Sequence, residues 1–392
     1  ADAAYPEPLV SSDFLGDCCD SIQTQRIWPL TVGNNSSALH RYFHPSSQQP
    51  VVLRGLADLV FPVGKSLDFD ALLHHCGDVV VDGVRLAPEG TTLFDYADES
   101  RNGDVFQDPS VKGQQETPMK FCDFVKKVRS AETTGSRHYL WSVLISRCNE
   151  SLCKSEMGLA LWESIQTMKM QELHQLAHEG QFGPIKLAQL FCSGRKALTA
   201  CHFDQSQNLF LQLVGVKRFL LFPPMTGTAA FAPFPISHPR TRCAQVRLLN
   251  PDYQRFPCAS RAHGAALEAI LRPGDALFLP YGWWHHVESL SEENVSLNFW
   301  YTGGALERRP PDEIPRPLSD SLVMELVREC EHFLAAEIGY SQLDVFLTWL
   351  HAPALAFPSA PIAQGTRWLR TANFLLHAAM RILRPRQLRI FL

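Results

Sequence analysis

Residues 199–224 carry the pattern that decides the fold: TACHFDQSQNLFLQLVGVKRFLLFPP. Within it, NLFLQLVGVKRFLLFPP contains two β-like runs joined at a Val-Gly turn. Residues 269–280, AILRPGDALFLP, form another such pair, broken by Pro-Gly-Asp at 273–275, and NVSLNFWY at 294–301 closes the series. Several strands joined by tight turns predict an antiparallel sandwich or barrel and disfavour a parallel α/β sheet.

Two flanks of different character surround this strand-rich region. Residues 1–50 are polar and rich in turn-forming residues, whereas residues 51–308 are predicted to form one large domain. From Pro310 the chain changes to helical patterns, so residues 309–392 are predicted to form a C-terminal helical region. The predicted helices lie at about 118–130, 318–337, 341–351 and 366–383.

Composition and charge narrow the class of protein. The chain has 392 residues, of which 45% are hydrophobic and 19% charged, with a net charge of -4, which argues against non-specific nucleic-acid binding. No apolar run reaches the roughly 18 residues of a membrane span, and residues 1–17 lack the pattern of a signal peptide. The eleven cysteines form no CxxC pair. They are typical of reduced thiols in an intracellular protein, which we expect in the cytoplasm, the nucleus or both.

Three residues in the strand region form a candidate metal site. His202 and Asp204 are two positions apart, so in a strand their side chains point to the same face. His285 follows another strand and its turn and would supply a third ligand. Two imidazoles and one carboxylate leave open positions on an octahedral ion, which suits non-haem Fe(II) with a bidentate co-substrate and O2. Taken alone, His202 could equally be an ordinary surface or core histidine rather than a metal ligand.

Asn208 and Lys217 strengthen this interpretation. Their spacing places them on neighbouring strands, with a cation near the metal. A lysine there would pair with the far carboxylate of a dicarboxylic acid. The alternative for Lys217 is a solvated strand residue beside Arg218.

Together these segments resemble the JmjC-type cupin oxygenases. The resemblance rests on 199–224, on PGDALFLPYGWWHHVESL at 273–290, and on 294–301. Within that family the chain is most similar to the asparaginyl hydroxylases of the factor-inhibiting-HIF type, through FPISHPRTRCAQVRLLNPDYQRFP at 234–257. The similarity covers roughly residues 45–350.

The resemblance implies a mainly β fold with flanking helices, namely a double-stranded β-helix (cupin, jelly-roll) core in a catalytic domain at 51–308. It also implies a C-terminal helical unit that forms a homodimer. The implied reaction consumes O2 and 2-oxoglutarate, releases succinate and CO2, and inserts oxygen into a C–H bond of a protein. The targets that the resemblance implies include proteins with ankyrin-like repeats. The implied site residues are the iron ligands His202, Asp204 and His285, the 2-oxoglutarate-binding residues Tyr139, Thr199, Asn208, Lys217 and Asn298, and the substrate-side residues Arg242, Cys243 and Trp300.

Two positions depart from the family pattern. Cys243 stands where the family has a glutamine that binds the target amide, and a thiol is only a weak donor and acceptor. Phe94 stands where a tyrosine is expected near the substrate channel. A JmjC lysyl demethylase, a hydroxylase of a different residue and a non-catalytic cupin therefore remain as alternatives.

Three further features have simpler explanations. His286, beside His285, is expected to support the site or lie at the surface. His174 and His178 are four residues apart, but Gln175 replaces the glutamate of a zinc protease, so a structural or surface role is favoured. Trp283-Trp284 is expected to pack in the core rather than form an aromatic cage.

Overall fold

A computed structural model gives the fold of the chain. The structure describes residues 24–27, 30–31, 42–43, 48–61, 67–87, 93–94, 117–148, 151–234, 238, 240–248, 251–301, 318–339, 341–343, 345–346, 368 and 371–372. Contacts divide the chain into two compact units, Ala1–Gly304 and Ala305–Leu392.

One sheet of six strands carries both candidate metal-binding histidines. Its strands are β1 (Thr24–Arg26), β6 (Leu93–Phe94), β11 (Leu198–Phe203), β13 (Lys217–Phe222), β14 (Ala266–Leu271) and β16 (Trp284–Ser289). They lie in the order β1-β14-β13-β16-β11-β6. The β1–β14 and β11–β6 pairs are parallel and the others are antiparallel.

A larger sheet faces the first one. Its strands are β2 (Leu30–Thr31), β3 (Val51–Arg54), β5 (Val84–Leu86), β8 (His138–Cys148), β10 (Ile185–Gly194), β12 (Gln207–Val214), β15 (Ala276–Leu279) and β17 (Glu293–Tyr301). They lie in the order β2-β3-β15-β12-β17-β10-β8-β5, and β9 (Ser151–Lys154) pairs with β8. A separate ladder joins β4 (Val80–Val81) to β7 (Met119–Lys120).

Helices flank the two sheets. Among the described residues they are α1 (Leu56–Val60), α2 (Phe69–Cys76), α3 (Phe121–Arg129), α4 (Ala131–Thr134), α5 (Glu156–Ala160), α6 (Trp162–Gln166), α7 (Met170–Glu179), α8 (Pro224–Phe231) and α9 (Asp320–Ile338), with a 3-10 helix at Pro257–Ala262. The helices predicted at about 118–130 and 318–337 correspond to α3 and α9. The run α5–α7 between β9 and β10 was not predicted, because its short helices carry no long apolar period.

Apolar side chains of both sheets meet in a shared core. Phe210, Leu277 and Leu279 of the larger sheet pack in one cluster with Phe219 and Leu221 of the smaller sheet. Each of β11, β13 and β16 has six residues, and all of them are buried, including polar side chains such as His202, Lys217 and His285. The predicted mainly β, jelly-roll-like core with flanking helices is confirmed.

The tryptophan pair before the third candidate ligand belongs to this core. Trp284 is fully buried and Trp283 nearly so, as expected for core packing. The Trp284 indole lies directly against α8, and a Cβ added at Gly227 would come 2.2 Å from Trp284 Cδ1. Thr228 Oγ1 accepts a hydrogen bond from Trp284 Nε1 at 3.2 Å. Gly227 therefore permits the close approach that fixes the start of β16.

The second unit is described mainly by α9. Ser319 caps this helix by accepting a hydrogen bond from the Leu322 backbone N–H. Leu334 of α9 shares an apolar cluster with Phe346, Trp368 and Ala372. The rest of the helices predicted at about 341–351 and 366–383 lies outside the described residues. In the described part of the chain, no helix is long and apolar enough to span a membrane.

Candidate metal and co-substrate site

Two neighbouring strands bring the candidate metal ligands together. His202 of β11 and His285 of β16 are directly opposite each other in an antiparallel pair, and Asp204 follows the end of β11. Asp204 Oδ2 lies 3.9 Å from His202 Nε2 and 3.4 Å from His285 Nε2. The three ligand atoms all lie within 4.8 Å of one another. A search of the described residues finds no other group of three such side chains.

Local hydrogen bonds orient both imidazoles. His202 Nδ1 lies 2.8 Å from the carbonyl of Ala200, and His285 Nδ1 lies 3.0 Å from that of Trp283. Because a carbonyl only accepts, each Nδ1 carries the proton and each Nε2 presents its lone pair to the site. Burial lowers the pKa of His202 to about 3, and the neighbouring His285 adds to the effect. Burial also lowers the pKa of His285, so both rings are neutral, as metal ligation requires.

Arg242 holds the carboxylate of the set. Its Nη1 donates to Asp204 Oδ1 at 3.1 Å, which leaves Oδ2 facing the two imidazoles. Burial alone would raise the pKa of the Asp204 carboxyl, but its polar neighbours, among them the charged and hydrogen-bonded Arg242, keep that pKa below its ordinary value. The site thus offers two neutral nitrogens and one ionised oxygen on one side of a cavity.

A cavity of about 300 Å³ adjoins these three side chains, and a buried lysine lies behind three of the residues that line it, Tyr139, Phe191 and Phe210. Lys217 is fully buried, with its Nζ 3.3 Å from Tyr139 Oη, and Tyr139 is in turn hydrogen-bonded to Thr199. The Nζ also lies 5.3 Å from the Phe210 ring centre and 5.9 Å from that of Phe191. None of the described carboxylates forms a salt bridge with Lys217. A buried ammonium of this kind is expected to bind an anionic ligand.

Unsatisfied polar atoms surround the same cavity. Asn208 Oδ1, Asn298 Oδ1 and Trp300 Nε1 are buried and have no hydrogen-bond partner within the described chain. Leaving one such atom unpaired costs about 1–3 kcal/mol. Trp300 Nε1 can only donate and the two amide oxygens can only accept, so these atoms suit a polar ligand or bound water that offers both kinds of group.

A family model described as a cupin-like domain matches residues 37–305. The chain belongs to the cupin-like domain family. The predicted cupin class is thus confirmed, whereas the narrower similarity to asparaginyl hydroxylases stays a prediction.

Curated relatives match part of this chain. Human HSPB1-associated protein 1 is 40% identical over 106 residues, which are 26% of this chain and 21% of that protein. Lysine-specific demethylase JMJ31 of Arabidopsis thaliana is 32% identical over 115 residues, 29% of this chain and 21% of the relative. Human bifunctional peptidase and (3S)-lysyl hydroxylase JMJD7 is 32% identical over 125 residues, 27% of this chain and 38% of the relative. The matched segment therefore spans about a fifth to two fifths of these relatives.

Of the substrate-side residues predicted from the sequence, two line the cavity in the structure and one does not. Arg242 and Trp300 line the cavity of the cupin-like domain. Cys243 is opposite His202 in a β-bridge, but it is 2% exposed and is not among the residues that line the cavity. Phe94 lies beside the site through its backbone, which pairs with Thr199 in parallel.

The sequence did not identify several polar and aromatic residues that line this cavity. They are Trp141, Lys186, Gln189, Gln205 and Ser206. Gln189 is opposite Asn298 in the β10–β17 pair, a register that the sequence does not reveal. Gln205 and Ser206 could have been found from the sequence, because they are polar and directly follow Asp204.

The remaining histidines lie outside the metal site. His286 is 2% exposed, and its Nε2 lies 3.5 Å from Glu288 Oε1 on the other face of β16, so it is not a fourth ligand. His174 and His178 lie on α7 and are exposed. They belong to no group of three potential ligands among the described residues.

Proposed function

We propose that this cupin-like domain is an iron(II)- and 2-oxoglutarate-dependent oxygenase that hydroxylates a side chain of a protein. The observation that carries the proposal is the arrangement of His202, Asp204 and His285 on a cavity whose lining residue Tyr139 contacts the buried amine of Lys217. The reaction takes up O2 and 2-oxoglutarate and gives succinate, CO2 and the hydroxylated residue. One oxygen atom enters succinate and the other enters the C–H bond.

The donor set supports iron(II) as the metal. Two imidazoles and one carboxylate on one side of the ion suit iron(II), whereas a catalytic zinc is usually tetrahedral with one open place. Bound iron(II) would supply the positions at which O2 and the keto acid meet. The chain's own contribution is to hold both imidazoles neutral and, through Arg242, to aim a single oxygen of Asp204 at the ion.

The buried polar residues support 2-oxoglutarate as the co-substrate. The Lys217 ammonium would bind the far carboxylate, with hydrogen bonds from Tyr139 and Thr199. Asn208 and Asn298 line the cavity and would donate to the ligand from their side-chain amide nitrogens. The apolar walls around Lys217 exclude water and strengthen these contacts.

Charge at the open side of the cavity favours a neutral or acidic acceptor. Lys186 and Arg242 both line it, and Asp204 is the single carboxylate among its described lining residues. That carboxylate is already paired with Arg242. A cationic acceptor would be repelled, so hydroxylation of a neutral residue such as asparagine is favoured over lysine demethylation.

Lysine chemistry is the second candidate, because one relative is named a lysine-specific demethylase and another a lysyl hydroxylase. A non-catalytic cupin is disfavoured by the complete set of ligands. A protein partner accords with the relative named for its association with HSPB1. An ankyrin-repeat substrate, a homodimer through residues 309–392, and a cytoplasmic or nuclear location stay predictions.

Anaerobic titration with Fe(II) and 2-oxoglutarate, followed by measurement of succinate release in air, tests the oxygenase. We expect His202→Ala to abolish both metal binding and succinate release, and His74→Ala, a matched change in an exposed histidine of α2, to leave both unchanged. Iron binding that persists in His202→Ala would refute the site. Mass spectrometry of candidate peptides then decides the acceptor, since hydroxylation adds one oxygen and demethylation removes a methyl group.

A further inference from the structure

A second and larger cavity lies beside β10, and the proposed chemistry makes no use of it. It has a volume of about 940 Å³, at the upper end of small-ligand sites. Helices α6 and α7 and strands β8, β10 and β17 contribute its walls. Its buried floor is apolar and is formed by Leu144, Met168, Ala177, Leu297 and Phe299.

The two cavities adjoin at Lys186 and Leu187, which line both of them. Ile185 is opposite Tyr301 and Leu187 is opposite Trp300, so Lys186 is an extra residue in the pairing of β10 with β17. Such a bulge redirects the side chains around it and often lies next to an active site. Lys186 is exposed, and it stands between the catalytic cavity and the apolar floor.

The charge around the second cavity has one sign. Its described lining includes the cations of Lys186 and Arg147 and the two histidines His174 and His178, but no aspartate or glutamate. All four side chains are exposed. An apolar floor with a basic rim complements a segment that combines acidic and apolar side chains.

We propose that Lys186 is a specificity-determining residue that selects polypeptides with an acidic residue near the acceptor, and that the adjoining acidic and apolar segment occupies the second cavity. The inference rests on the proposed function, because an acceptor side chain in the catalytic cavity brings its own backbone to the shared wall. An extended chain advances about 3.3 Å per residue. A few residues therefore reach from one cavity to the other.

Fluorescence anisotropy with synthetic peptides tests the inference on protein without metal or 2-oxoglutarate. The first peptide has a central asparagine flanked on both sides by alternating leucine and glutamate, and the second has lysine in place of glutamate. The third has serine in place of leucine. We expect the first to bind the wild type at least tenfold more tightly than the second and at least fivefold more tightly than the third.

Variants locate the effect. Lys186→Glu should weaken binding of the glutamate peptide about tenfold and improve binding of the lysine peptide. Lys127→Glu, in an exposed residue of α3 that lines neither cavity, should change both by less than twofold. Lys186→Gln gives a second variant without charge reversal, with an intermediate effect expected.

Equal affinity for the glutamate and lysine peptides, or an equal effect of the two charge reversals, would overturn the inference. Binding of dodecanoate without binding of the glutamate peptide would assign the cavity to a small amphiphile and also overturn it. Because these measurements need no turnover, they stay separate from the oxygenase assay. Loss of succinate release with intact peptide selection would count against the oxygenase alone.

Discussion

Replacing Lys217 by methionine should stabilise the protein while it removes co-substrate binding. The Lys217 side chain is fully buried, and its ammonium lies near the rings of Tyr139, Phe191 and Phe210. Burial lowers the pKa of this amine from 10.5 to about 7. Methionine keeps an unbranched, flexible side chain at this position and removes the charge.

The pKa sets the magnitude and the pH range. At about 1.4 kcal/mol per pKa unit, a fall from 10.5 to about 7 corresponds to roughly 5 kcal/mol of unfolding free energy. Between these two pH values the unfolded chain binds a proton that the folded chain lacks, so stability rises with pH there. The destabilisation is complete below pH 7 and disappears as the pH approaches 10.5.

Urea unfolding of the metal-free protein at pH 6, 7, 8.5 and 9.5 measures this effect. We expect Lys217→Met to be several kcal/mol more stable than the wild type at pH 6 and 7, with a difference that shrinks as the pH rises. Lys127→Met, a change in an exposed lysine, is the matched control and should give no such trend. If the unfolding free energies of the wild type and Lys217→Met depended on pH in parallel, Lys217 could not be a destabilising buried cation.

The same residue links stability to the co-substrate. 2-Oxoglutarate should raise the unfolding midpoint of the wild type and leave that of Lys217→Met unchanged, because only the wild type offers a charge for the far carboxylate. Lys217→Ala should likewise raise the apparent 2-oxoglutarate requirement sharply. An unchanged requirement would contradict the role of Lys217.

Three further perturbations test the rest of the site. The apparent affinity for 2-oxoglutarate should fall as the pH rises above about 7, since the free Lys217 amine loses its proton there. Calorimetry in two buffers should also show that the protein takes up a proton on binding. Binding without proton uptake would contradict the role of the Lys217 amine. Arg242→Gln leaves Asp204 Oδ1 without its charged partner and should weaken Mn(II) binding by about 10–100-fold, with Arg255→Gln as the exposed control and equal affinities as the refuting result. Gly227→Ala forces a Cβ against the buried Trp284 ring and should destabilise the fold by about 1–3 kcal/mol in urea, a loss that an unchanged midpoint would disprove.

The strands and the convergence of the three candidate metal ligands were predictable because their signals are local. The two-residue spacing of His202 and Asp204 predicts side chains on one side of an extended segment, and the two stay together although β11 ends at Phe203. His285 follows a Pro-Gly-Asp turn and a buried run, and the structure brings it opposite His202. Each imidazole is then oriented by the carbonyl two residues before it, so its direction needs no distant partner.

The walls on the acceptor side were not predictable, since they depend on contacts between distant segments. Lys186 reaches the cavity because β10 has one residue more than its partner strand at that point, and an extra residue leaves no trace in the local pattern. Arg242 was expected near the acceptor, yet its guanidinium also holds Asp204. Cys243 was expected to line the acceptor pocket, but its pairing with His202 buries it instead.

This division indicates how the cavity walls can change while the arrangement of the candidate metal ligands persists. Two paired strands and their own carbonyls fix His202 and His285, so substitutions in the surrounding walls leave the imidazoles in place. On the proposed acceptor side, two cationic side chains line the cavity: Lys186, at the bulge in β10, and Arg242. Changing Lys186 alters the charge that an incoming chain meets without touching a metal ligand. Arg242 lacks this freedom, because its substitution also releases one oxygen of Asp204.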